Sequence, residues 1–128
     1  MIYYGPKVHI SWGELFDKYS ILQIKKEQIE DEEKVKNVEI ELEAIEDNVN
    51  NYMDVVEDLY EELYDTNLML WNLEDNIREC EKKKKFGEEF IALARAIYMT
   101  NDARAHIKRQ INEMLGGSLI EEKSYKEY

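Results

Sequence analysis

The chain has 128 residues, of which 44% are hydrophobic and 36% charged, and its net charge is −12. Such a surface repels the phosphates of nucleic acids and anionic membranes, so the sequence predicts neither partner. No apolar stretch approaches the roughly 18 residues that span a bilayer. The first residues do not predict a secretion signal, and the single cysteine, Cys80, cannot form an intrachain disulfide. We expect one soluble, cytoplasmic domain over residues 1–128, with no cofactor.

The first half of the chain predicts two helices. Residues 1–10 are expected to be irregular or a short strand. Ser11 and Glu14 form a capping-box pattern, in which each side chain satisfies the other's backbone N–H, and this opens the first helix. The apolar stripe then loses phase around Asp31 and resumes at Val35. We interpret this as a helix break, and one continuous kinked helix is the alternative.

The second half of the chain predicts two longer helices. Asp54 and Glu57 form another capping-box pattern, and the helix that they open closes on the lysines 82–85. Gly87 is the predicted break, and Gly116 stops the last helix. The predicted fold is all-α, an antiparallel bundle of three to four helices with short ordered N- and C-terminal segments. The predicted helices span about 11–30, 33–50, 55–85 and 88–115, followed by a tail at 116–128 that packs back on the bundle.

Several polar side chains lie on or beside the apolar stripes. Asn67, Trp71, Glu74 and Arg78 form a column at three-four spacing beside the apolar stripe of the third helix. Arg104 lies inside the stripe of the last helix. Unpaired burial of such groups costs several kcal/mol each, on the order of 1–3 kcal/mol even for a neutral group. They must therefore find partners in each other, in water or in a ligand.

Two readings of these residues are open. One is an internal hydrogen-bonded network that fixes the register of the helices. The other is a pocket between helices that binds a small anionic, phosphate-bearing ligand, with Glu74 and Asp75 orienting it or holding a cation. The predicted ligand-binding residues are Lys25, Trp71, Glu74, Arg78, Arg95, Asn101, Arg104 and Lys108.

A second hypothesis is an acidic adaptor that forms a homodimer or docks on another protein, without catalytic activity. A third is a Mg²⁺-dependent nucleoside-triphosphate pyrophosphohydrolase. Glu43-x-x-Glu46 followed by Glu62-x-x-Asp65 resembles the magnesium-chelating pattern of that all-α family. Magnesium is expected only under this alternative. Neither histidine has the spacing of a zinc or di-iron site.

Four stretches also resemble one known family. Residues 13–25 (GELFDKYSILQIK), 70–81 (LWNLEDNIRECE), 93–104 (LARAIYMTNDAR) and 121–125 (EEKSY) are similar to the bacterial and phage family called domain of unknown function 6165. The resemblance implies a helical protein of similar length whose signature residues include the polar ones singled out above. It implies no activity. Gln28 and Glu32 depart from the arginine and proline that relatives often carry there.

Overall fold

The computed structural model describes residues 5–117, 119 and 121–128, and its regular secondary structure is helical throughout. The helices are α1 (Trp12–Gln28), α2 (Glu32–Asn50), α3 (Met53–Lys82) and α4 (Glu88–Leu115). The all-α prediction is confirmed, with four helices rather than three. No strand forms within residues 5–10, and residues 1–4 lie outside the described part. None of the described helices is long and apolar enough to cross a membrane.

The helix α1 is central to the packing. It contacts α2, α3 and α4, while α3 and α4 pack along each other and α2 touches α3 only slightly. One core cluster joins α1 to the other three helices and includes Phe16, Val49, Leu63 and Ile111, all fully buried. A second, smaller cluster joins α1 to α2. Side chains on the buried faces of α1 are therefore held by neighbours on several sides.

The predicted break between the first two helices is confirmed. Ile29 ends α1 in an extended conformation, and the Asp31 side chain caps α2 by accepting from two backbone N–H groups. Only one of the two hydrogen bonds of the predicted capping box forms at the start of α1. Ser11 Oγ accepts from Glu14 N at 3.2 Å, but the Glu14 carboxylate accepts from Lys108 instead.

The predicted capping box at the start of α3 is wrong. The helix begins at Met53, and its N-cap, Tyr52, makes no side-chain cap. Tyr52 N donates back to Val49 O at 3.2 Å, so the chain turns directly from α2 into α3. An N-cap residue has an extended backbone, but Asp54 already lies inside the helix because this link is so short, so its side chain cannot cap α3. The geometry instead departs from helical at the buried Val56 (φ −119°, ψ 17°).

The turn between α3 and α4 also differs from the prediction. The third helix ends at Lys82, and Lys84 adopts a positive φ of 55° while Lys85 N donates to Cys80 O at 2.9 Å. This is the hydrogen bond of a Schellman-type helix end, in which a left-handed residue reverses the chain. Gly87, predicted as the break, is the N-cap of α4. The stop at Gly116 is confirmed, with φ 75°.

Candidate functional site

A buried ion pair joins α1 to α4. Asp17 is 1% exposed. Arg104 donates from Nε to Asp17 Oδ1 at 2.8 Å and from Nη2 to Asp17 Oδ2. The hydrogen bonds that Arg104 donates to Asp17 raise the pKa of Arg104, although burial of the guanidinium opposes this. This two-point geometry offsets the desolvation of both charges, which would otherwise cost several kcal/mol.

The same carboxylate is held from α3. Asn67 Nδ2 donates to Asp17 Oδ1 at 2.9 Å and to Ser20 Oγ at 2.7 Å. Ser20 Oγ in turn donates to the backbone carbonyl of Asp17 at 2.7 Å. Asn67 and Ser20 are 5% and 0% exposed, so neither is served by bulk water. Three helices are thereby connected through one side chain.

Lys108 extends these contacts toward the C-terminus. This lysine is 7% exposed, and its Nζ lies 2.8 Å from Glu14 Oε2, 2.7 Å from Glu121 Oε2 and 3.8 Å from Asp17 Oδ2. Burial alone would lower the pKa of Lys108, but the hydrogen bonds to Glu121 and Glu14 raise it overall. The predicted packing of the tail against the bundle is thus confirmed at Glu121.

The Lys108 contact also lowers the pKa of the Glu121 carboxyl below that of an ordinary glutamate. A carboxyl whose folded-state pKa is lowered stabilises the fold at pH values above its unfolded pKa. That contribution is lost as pH falls through the folded value. The attachment of the tail to α4 therefore weakens in acid.

These contacts make the polar residues an internal network. It contains three carboxylates, from Glu14, Asp17 and Glu121, and two cations, from Arg104 and Lys108. Among the described residues, every buried side-chain nitrogen and oxygen has a hydrogen-bond partner. Four of these polar residues are therefore partnered inside the protein, as the interpretation of an internal hydrogen-bonded network expects. They are Asp17, Asn67, Arg104 and Lys108.

Neither Asp17 nor Ser20 is among the residues predicted to form a site. One signal in the sequence points to them. Gly13, Asp17, Ser20 and Ile24 recur at spacings of four, three and four, and all are buried. Three small or polar residues on a buried column indicate that something polar or a close backbone packs against it.

A groove is lined by residues of α3 and α4 together with Ile21 and Ile24 of α1, and we call it the α3–α4 groove. Its volume is about 510 Å³, within the range typical of small-molecule sites. Its polar lining includes five of the eight predicted ligand-binding residues. These are Trp71, Glu74, Arg78, Asn101 and Arg104.

The remaining predicted residues lie elsewhere. Lys25 and Arg95 do not line this groove, and Lys108 belongs to the buried network. The arginines do not converge on one point, because Arg104 is held by Asp17 while Arg78 lies 3.5 Å from Glu74 at the surface. The groove is accordingly mixed in charge rather than cationic.

The carboxylates of the pyrophosphohydrolase pattern do not come together. Among the described residues, no three His, Cys, Asp or Glu side chains form a group able to hold a metal ion. Glu43, Glu46, Glu62 and Asp65 are all described and all exposed. The geometry gives that alternative no support. His106 is an exposed helix residue, and Cys80 is buried as a small core residue.

Comparisons with known proteins agree with the resemblance in the sequence. The model of a family of unknown function, DUF6165, matches residues 6–128. No curated protein matches the chain, and no solved structure does. The match covers nearly the whole chain, including α1 to α4 and the residues of the buried network. The chain therefore belongs to the DUF6165 family of unknown function.

Proposed function

We propose that the protein binds a small phosphate-bearing molecule in the α3–α4 groove. The observation that carries the proposal is the position of Arg104. Asp17 fixes its guanidinium through Nε and Nη2, while the same side chain lines the groove and directs Nη1 at Asn101 Oδ1, 3.5 Å away. An arginine fixed in this way loses little conformational entropy when it binds an anion.

The charges of the groove restrict the kind of ligand. Asp17 compensates Arg104, and Glu74 lies 3.5 Å from Arg78, so the carboxylate of Asp75 tips the balance toward negative. A compact polyanion would meet this carboxylate without compensation. A molecule with one phosphate and several hydroxyl groups fits better, because hydroxyls donate to carboxylates while the phosphate accepts from the arginines.

Trp71 supplies an apolar wall for such a molecule. Its half-buried indole lines the groove beside the polar residues. The C–H face of a sugar ring packs well on an aromatic ring, as apolar surface does generally. The best-fitting ligand class is therefore a sugar phosphate.

A thermal-shift and calorimetry panel tests this. We expect sugar phosphates to raise the Tm, whereas inorganic phosphate and free sugars raise it little. At 100 times Kd a ligand adds roughly 2.7 kcal/mol, which is roughly 8–10 °C for a domain of this size. Trp71→Ala should weaken binding at least tenfold, while Ile91→Ala, an exposed change on α4 outside the groove, should not. A flat Tm across the panel would contradict the proposal.

An interaction protein is the second candidate, and the far end of the α3–α4 pair favours it. Within the described α4, no residue before Ile107 is buried. Met69, Phe86 and Ile91 are each more than half exposed. The lysines 82–85 at this end would face mostly acidic surface on a second copy, since the chain carries −12 overall. We therefore take a second copy as the partner.

Light scattering after size-exclusion chromatography distinguishes this candidate. A dimer would give twice the chain mass of 15.3 kDa, and Ile91→Lys should return the mass to that of the monomer. A monomer at every concentration up to about 100 μM, well above the typical Kd of a stable dimer, would rule it out.

A further inference from the structure

The C-terminal tail, residues 121–128, lies along α4 and is attached near both of its ends. At one end Glu121 accepts from Lys108 Nζ at 2.7 Å. At the other end the Tyr128 hydroxyl donates to Asp102 Oδ2 at 2.5 Å. Between these attachments the tail and α4 enclose a second groove of about 1070 Å³, which we call the tail groove.

The tail groove adjoins the α3–α4 groove. Asn101 and Arg104 line both of them. These residues lie three apart on α4 and therefore share one side of the helix. The fixed guanidinium of Arg104 thus lies at the boundary between the two grooves.

The charges of the tail groove differ from those of the α3–α4 groove. Apart from Arg104, which Asp17 compensates, its lining includes Lys123 and Lys126 against Asp102 and Glu127. The Asp102 carboxylate already accepts from the tail, and Lys123 lies 3.8 Å from Glu121. The lining charges of the tail groove therefore balance, whereas those beside Glu74 are negative overall. The charge of the whole chain does not change this local balance, because salt screens exposed charges beyond about 8–10 Å.

Aromatic rings accompany these cations. Tyr98 lines the groove from α4 and Tyr125 from the tail, and the two rings are 43% and 77% exposed. Tyr98 is held in place because the Tyr128 ring packs edge-on against it, with centroids 5.2 Å apart. Exposed aromatic faces stack on planar nucleobases with little regard to base identity.

We propose that the joined grooves bind a nucleoside diphosphate sugar. The base stacks on the exposed ring of Tyr125, the diphosphate lies between Arg104 and the tail lysines, and the sugar occupies the α3–α4 groove beside Trp71. This inference rests on the proposed function, since it extends the same site. It adds that the tail is one wall of the site and that the ligand has two recognised halves.

Calorimetry with UDP-glucose, GDP-glucose and ADP-glucose tests the inference, with the matching nucleoside diphosphates and glucose 1-phosphate as half-ligands. We expect the best nucleotide sugar to bind at least tenfold more tightly than either of its halves. Tyr125→Ala and Lys126→Glu should each weaken it at least fivefold and leave glucose 1-phosphate unchanged. Lys36→Glu, the same charge change on the exposed face of α2, is the matched control.

The outcomes separate the two proposals. Binding of glucose 1-phosphate that depends on Trp71, with no gain from a nucleotide, would overturn the tail-groove inference and leave the proposed function standing. Nucleotide-sugar binding that is indifferent to Tyr125 and Lys126 would also overturn the inference. Absence of binding by all of these compounds would overturn both.

Discussion

Replacing Asp17 with alanine will lower the free energy of unfolding by about 3–5 kcal/mol, the range for breaking a buried ion pair from one side. Asp17 is 1% exposed and accepts from both Arg104 and Asn67. Without it, a guanidinium and an amide on two different helices lose their shared acceptor. Since domains are stable by only about 5–15 kcal/mol, the variant should lose a large fraction of its stability. Urea unfolding followed by circular dichroism measures the change.

A double-mutant cycle shows whether the loss of stability comes from the interaction between Asp17 and Arg104. Asp17→Ala and Arg104→Ala should be strongly non-additive, because the second substitution removes the orphaned charge that the first leaves behind. Glu79→Ala serves as the control, since it breaks an exposed pair with Lys83 at 3.2 Å and should cost about 0–1 kcal/mol. Additive single losses, or a loss at Asp17 no larger than at Glu79, would contradict a network built on Asp17.

Replacing Gly13 with alanine will also destabilise the protein, by about 2 kcal/mol or more, which is the opposite of what helix propensity predicts. Within a helix, glycine to alanine ordinarily gains about 1 kcal/mol. Here a Cβ would lie 2.4 Å from Lys108 O and 2.9 Å from Lys108 C, both backbone atoms of α4. They can move only if α1 and α4 separate. Such a shift would also strain the hydrogen bond from Gly13 N to Asn112 Oδ1, 2.7 Å long.

Thermal unfolding of Gly13→Ala checks this prediction by the sign of the change in Tm. The matched control is Gly5→Ala, where nothing lies within 4 Å of the new Cβ and the Tm should change by less than about 1–2 °C, as for a surface change within about 0.5 kcal/mol. A higher Tm for Gly13→Ala would mean that α1 and α4 are not in close backbone contact in solution. The position of Lys108, and with it the network, would then need revision.

The network and the groove have different consequences for function. Loss of Asp17 should disturb folding and ligand binding together, because Asp17 positions Arg104. Loss of Trp71 should disturb binding more than folding, because its half-buried indole lines the α3–α4 groove and takes no part in the buried hydrogen bonds. The free energy of unfolding and the ligand affinity should therefore both be measured for the Asp17 and Trp71 variants.

The helices themselves follow from local sequence. The three-four spacing of apolar residues, the break around Asp31 and the stop at Gly116 need only neighbours along the chain, and all of them are found as predicted. One local prediction fails for a local reason: Asp54 does not cap α3, because the link at Tyr52 is too tight. The break at Gly87 is found, but the third helix ends earlier, at Lys82, because Lys84 takes the left-handed conformation.

The partners of the polar residues depended on the tertiary structure. The periodicity indicates that Asn67, Arg104 and Lys108 need a partner, but it does not indicate which partner each of them finds. Asp17 lies 50 residues from Asn67 and 87 from Arg104, and Glu14 lies 94 from Lys108. A pattern within one helix carries the direction of a side chain and not the element that packs against it. The packing of α1 against α3 and α4 brings Asp17 to Arg104. The column residues beyond Asn67 on α3, which are Trp71, Glu74 and Arg78, line the groove instead.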